Sequence, residues 1–164
     1  MISDRLSRLV RAWLLTAIVD GLFSSALVVF AYRSTVTRLW RGIASVLLGP
    51  AAFQGGVRAV LIGLLLHCGV ALAWSAVFLA IYQSLPRLRQ VVASPRGVLA
   101  VAAIYGPAIW LVMSLIVISL FTGRPPAITF RWWVQLVGHI PFVAVPIVAM
   151  IGRPTYSPSH AETT

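Results

Sequence analysis

Residues 57–82 read VRAVLIGLLLHCGVALAWSAVFLAIY, an apolar run interrupted in its interior by a single imidazole, His67. About 20 such residues cross a hydrocarbon layer ~30 Å thick as a helix, so this stretch predicts a membrane span. Three further stretches repeat the pattern. They run from Ala12 to Tyr32, broken by Asp20; from Gly97 to Phe121, without a charge; and from Trp132 to Ile151, which holds His139. Trp13, Tyr32, Tyr82, Trp132 and Trp133 stand near the ends, where amphipathic rings collect at headgroup level. The expected fold is all-α: an integral membrane four-helix bundle forming one domain over residues 1–152. Residues 153–164, rich in Pro, Ser and Thr, are expected to form a disordered tail.

Composition agrees. The chain has 164 residues, 60% of them hydrophobic and 10% charged, whereas a soluble domain runs to about a quarter charged. The net charge of +10 comes from thirteen arginines without any lysine, grouped between the apolar runs. Basic groups flanking spans meet lipid headgroups. A nucleic-acid binder would instead gather them on one face beside stacking aromatics, so nucleic acid is not an expected partner and the bilayer is. The arginines at the N-terminus imitate a signal peptide, but Asp20 in mid-stretch and the lack of a small-residue cleavage site predict that the first span is retained. No lipidation motif is evident.

Between the first two spans, residues 35–48 place Val36, Leu39, Trp40, Ile43, Val46 and Leu47 at helical spacing, with Arg38, Arg41 and Ser45 toward the other side. About 14 residues are too few to cross, so a short interfacial amphipathic helix that braces the bundle is expected. Gly49-Pro50 stops it and Gly55-Gly56 turns the chain into the second span.

Asp20, His67 and His139 fall at one depth, near the middle of their spans. A carboxylate there costs roughly 2.5–3.5 kcal/mol on insertion scales, which points it toward a partner inside the bundle. Thr16, Asp20 and Ser24 share one face of span 1, and Gln135 precedes His139 by one turn. Ala59, Gly63, His67, Ala71 and Ser75 form an i, i+4 ladder of mostly small residues, which predicts close helix packing at Gly63, Ala71 and Ser75. Pro141, Pro146 and Pro107 deprive the carbonyls of Val137, Phe142 and Ala103 of their usual helical donors. The candidate polar midplane site is thus Asp20, His67, His139, Gln135 and Ser24.

Three readings of that site stay open. It forms a proton-responsive or transport-related core, or it is interhelical glue in a non-catalytic accessory or assembly subunit that packs against a second copy or a membrane partner. The third reading makes His67 and His139 axial ligands of a haem. Without a haem the site needs no cofactor or metal. Cys68, the only cysteine, points about 100° away from His67 and reads as a small buried residue. No nucleophile elbow, phosphate loop, zinc-binding His-Glu pattern or dinucleotide fingerprint is present, so no enzyme is expected. Spans 1–2 and 3–4 show no self-similarity, which removes the inverted-repeat argument for a transporter.

Asp20-Gly21, Arg41-Gly-Ile-Ala-Ser-Val-Leu-Leu-Gly49, Ala52-Phe-Gln-Gly-Gly56, Leu66-His67 and Gly138-His139 with Pro146 together resemble a group of small bacterial four-span membrane proteins of unknown function. The resemblance covers roughly residues 12–152, and a looser similarity is to YagU-type inner-membrane proteins associated with acid resistance. The resemblance implies the four-span architecture and no established activity; the YagU link would fit an Asp–His core that responds to protons, and the expected location is a bacterial inner (cytoplasmic) membrane. An all-arginine basic set is what a GC-rich bacterial coding sequence produces. Seven arginines lie on the side of the termini and six on the other. Discounting those of the short helix places both termini in the cytoplasm.

Overall fold

The computed structural model describes residues 2–152, with side chains from Asp4 onward, and the expected tail at 153–164 lies outside the described residues. Among the described residues the fold is all helical. Helix α1 (Ile2–Ala26) runs on through a π turn, Leu27–Ala31. The short α2 (Val36–Leu48) and a 3₁₀ turn (Gly49–Gln54) lead into α3 (Gly56–Ser84). A six-residue α4 (Pro86–Val91) precedes α5 (Pro95–Leu111), a π turn (Val112–Val117) and α6 (Ile118–Thr122). The chain closes with α7 (Phe130–His139), a π turn (Ile140–Ala144) and α8 (Val145–Gly152). Four continuous rods result, Asp4–Ala31, Gly56–Ser84, Pro95–Thr122 and Phe130–Gly152, each long and apolar enough to cross a membrane.

The outward surface is what a bilayer requires. Leu65 is 71% exposed, Ile104 76%, Leu120 77% and Phe130 79%, a density of open apolar side chains that water would not tolerate. The interior divides in two. Toward the termini, α8 is sunk among α1, α3 and α5, and Ile147, Val148 and Ile151 pack with Ala12, Phe78, Ala102 and Ile109. Toward the opposite end, α2 takes the central place, and Ala44 packs with Ala52 and Ala59.

Helix α2 starts on Thr35, whose side chain accepts the N–H of Arg38, and stops where Gly49 turns to φ +63°. It does brace the bundle, but with only part of its apolar face, Trp40, joined by the small Ala44. Trp40 and Ala44 are buried, whereas Val36 is 40% and Leu47 50% exposed. The reason lies on α3. That helix presents Ala59 and Gly63, and a small-residue surface accepts a backbone rather than bulky side chains. A methyl group at Gly63 would collide with the carbonyl of Trp40. Gly63 lies seven residues inside α3, about 10 Å below its start, so α2 is docked along the membrane-facing rod rather than lying apart from it. The remaining i, i+4 positions Ala59, Ala71 and Ser75 are likewise buried.

The prolines of the last rod are absorbed by widening the helix. Ile140–Ala144 is a π turn around Pro141, in which the N–H of Val145 bonds to the carbonyl of Ile140. The Val137 carbonyl expected to lack a donor accepts the N–H of Ile140 instead, because the backbone tightens just before the π turn. Gly106 of α5 meets this point directly: a Cβ there would stand 2.7 Å from the His139 carbonyl oxygen.

These contacts predict that Gly63→Val and Gly106→Val each destabilise the protein by about 1–3 kcal/mol through overpacking. Gly42→Ala, on α2 with nothing within 4 Å of its added methyl, should be neutral or stabilising by up to about 1 kcal/mol. Thermal unfolding in detergent, followed by circular dichroism, checks the contrast.

Candidate polar midplane site

Depth within the rods brings the three titratable groups to one level. Asp20 stands about 16 Å below Ala31, His67 about 16 Å below Gly56 and His139 about 13 Å below Phe130, at ~1.5 Å per residue. Helix α1 lies between the other two. Toward α3 it offers the Ala17 carbonyl and Gly21; toward α7 and the following π turn it offers Phe23. That ring stacks on Phe142 with centroids 4.0 Å apart and fills the space left by Gly138.

His67 is fastened to α1. Its Nε2 lies 2.9 Å from the Ala17 carbonyl oxygen, and a carbonyl only accepts, so Nε2 carries the proton and donates. Gly21 makes the approach feasible, since a Cβ there would stand 3.4 Å from Nε2. Trp13 ties the same two helices one step further along, its Nε1–H donating to the Cys68 carbonyl at 2.8 Å. The other imidazole nitrogen, Nδ1, faces Asp20 Oδ2 at 3.8 Å, with both side chains largely buried at 13% and 17% exposure. Above them, Trp40 of α2 sits edge-on to the His67 ring, centroids 5.3 Å apart, and touches the Gly21 position.

The tautomer has a consequence. With Nε2–H committed to Ala17, a neutral His67 turns the Nδ1 lone pair toward Asp20. An ionised carboxylate is also acceptor-only, so two acceptors would then face each other in a low-dielectric setting. One proton between them removes the conflict, whether it rides on the carboxyl or on the imidazole. The second oxygen, Asp20 Oδ1, is buried without a hydrogen-bond partner, which adds to the cost of the ionised form.

His139 is held differently. Its Nδ1 donates to the Gln135 carbonyl one turn back, at 2.7 Å, which leaves Nε2 as an acceptor in the neutral ring. The ring packs against Trp110 at 4.9 Å, and the buried Nε1–H of Trp110 has no partner. Asp20 and His139 are close enough for their charges to interact. Gln135 contributes its backbone rather than its side chain to this arrangement. Ser24 is half-buried and takes no part in the hydrogen bonds that hold the two imidazoles.

The haem reading does not fit this geometry. An axial histidine offers a free nitrogen to iron, but His67 Nε2 is spent on Ala17 and crowded by Gly21, and Nδ1 faces a carboxylate. Among the described residues no three His, Cys, Asp or Glu side chains gather into a metal-binding group. Two surface cavities lie at opposite ends of the bundle, one at Tyr32 and Arg131 and the other at Arg5 and Arg89. Neither is lined by Asp20 or the two histidines.

Trp40, Gly21, Ala17 and Trp110 complete the surroundings of the site. Trp40 was marked by its place on the apolar side of α2 and Gly21 as the neighbour of Asp20, whereas Ala17 and Trp110 carried no signal. Compared with known protein families, curated proteins and solved structures, the chain matches none. The resemblance to small four-span proteins and to YagU-type proteins therefore gains no support as kinship; what stands is a small multi-span helical membrane protein.

The two histidines should be opposite tautomers. Solid-state ¹⁵N spectra of the histidine-labelled protein in lipid are expected to show His67 protonated at Nε2 and, under conditions where His139 is neutral, His139 protonated at Nδ1. His67→Gln and His139→Gln variants assign the signals. A His67 signal with Nε2 unprotonated would contradict the hydrogen bond to Ala17.

Proposed function

We propose that this chain is a proton-responsive protein of a bacterial inner membrane, whose switch is the Asp20–His67 pair. The observation that carries this reading is the opposition of His67 Nδ1 and Asp20 Oδ2 at 3.8 Å, with Nε2 already committed to the Ala17 carbonyl. A site with room and need for one proton changes its charge when that proton is exchanged. A change of charge in a dry interior is too costly to leave the packing around it untouched.

The element that responds is α2. Trp40 rests on the His67 ring, and α2 is otherwise held along α3 by close contacts at small residues. Protonation of the pair alters the ring on which Trp40 leans, and α2 carries that change toward the membrane surface. His139, within electrostatic reach of Asp20, is the second acceptor in the core. On this reading the protein is not an enzyme, because one core carboxylate and two imidazoles bind and pass a proton without a second acid or a nucleophile to act on a substrate. Both termini face the cytoplasm, following the arginine count.

Tryptophan emission in nanodiscs tests the proposal, since Trp40 adjoins His67. The parent should show a step as pH is varied between about 5 and 8, the range in which imidazoles switch. Trp40→Phe should remove most of that step, and Asp20→Asn should shift its midpoint by about one unit or more. In vesicles loaded with a pH dye, Asp20→Asn should also alter any proton flux the parent supports. If Asp20→Asn leaves both step and flux as in the parent, the pair is interhelical glue and the accessory-subunit reading takes its place.

A further inference from the structure

A second polar feature lies away from the midplane, at the end of the bundle that carries the termini. The start of α1, the end of α3 and α4 enclose a groove of about 260 Å³ lined by Asp4, Arg5, Arg8, Tyr82, Gln83 and Arg89 together with Leu79. Three arginines against one aspartate leave it strongly positive. Two of the arginines are anchored by backbone. Arg8 donates from Nε to Asp4 at 3.1 Å and from Nη1 to the Ile151 carbonyl at 2.8 Å, capping the last turn of α8. Arg89 donates from Nε to the Tyr82 carbonyl at 3.1 Å and from Nη2 to the Gln83 carbonyl, closing the end of α3.

Each of these forks is held in place yet keeps N–H groups unspent, because a guanidinium carries five donors. Arg5 has no hydrogen bond or ion pair among the described residues. A set of pre-positioned guanidinium groups beside a phenol and an amide is the chemistry that recognises a phosphate oxyanion.

We propose that this groove binds the headgroup of an anionic phospholipid. Its level in the fold selects the lipid over a soluble phosphate. α1 and α3 are about 40 Å long, longer than the ~30 Å of hydrocarbon, so their ends reach headgroup depth, where anionic lipids are concentrated. Beside the groove on the same helix ends, Leu6, Ile81 and Leu85 are exposed and offer acyl chains a surface to lie on. Basic pockets between spans at this depth hold acidic lipid headgroups, and a bound lipid would staple α1, α3 and α4 together through Arg5 and Arg89.

Native mass spectrometry of the full chain from mixed micelles of phosphatidylglycerol and phosphatidylcholine tests this. Phosphatidylglycerol should be retained in preference to phosphatidylcholine. Arg5→Gln removes a groove arginine that makes no hydrogen bond or ion pair among the described residues and should weaken phosphatidylglycerol binding about tenfold. Arg11→Gln removes the same charge from the same helix end outside the groove and should weaken it less than about threefold. Equal affinity in Arg5→Gln and the parent, or equal loss in both variants, would overturn the site. Displacement of the lipid by millimolar inorganic phosphate would overturn the lipid as its occupant.

Discussion

His67 donates to the carbonyl of Ala17 across the α1–α3 contact, and the polar middle of the bundle is arranged around that bond. In hydrocarbon an imidazole N–H has no water to turn to, so it takes whatever acceptor the neighbouring helix can expose. A helical carbonyl is already engaged along its own axis but keeps a second lone pair. It can be reached only where the intervening surface is low, which Gly21 supplies. The bond then sets the register of α1 against α3, chooses the tautomer of His67 and turns Nδ1 toward Asp20. With Nε2–H spent on Ala17, the remaining nitrogen and the carboxylate are brought opposite each other by a donor used elsewhere.

Small residues act on both sides of this arrangement, and for the same reason. Without a hydrophobic force to drive helices together in lipid, close van der Waals contact has to do it. Gly63 admits the backbone of Trp40, and Gly106 admits that of His139. Each of these contacts lies beside a member of the polar site: Trp40 covers His67, and His139 takes its place through its own main chain. Packing and polarity therefore support each other here, and a bulky substitution at either glycine would move a ring as well as weaken a contact.

The loop-side half and the termini-side half of the bundle are filled by different means. Helix α8 is a core element in the ordinary sense, with Ile147, Val148 and Ile151 fully buried. Helix α2 is a wedge resting on small side chains, with Trp40 turned inward and Val36 and Leu47 directed outward. The polar groups lie where the two regimes meet.

The four spans were legible in the amino-acid sequence because membrane insertion sums hydrophobicity over about 20 consecutive residues, a local property. The common depth of Asp20, His67 and His139 followed from counting residues along rods of fixed rise. The small-residue ladder Ala59, Gly63, Ala71 and Ser75 was visible as a period, and these residues are buried. The buried face of α2 was legible at Trp40 but not at Ala44, whose burial depended on the small residues that α3 offered. The prolines announced irregularity in the last span, but its form as a π turn, with Val137 accepting from Ile140, depended on the neighbouring backbone. Which nitrogen of His67 bears the proton, and that Asp20 meets the other one, was decided only by the tertiary structure. Pairing across helices is set by rotation and register, and those emerge from all the contacts at once.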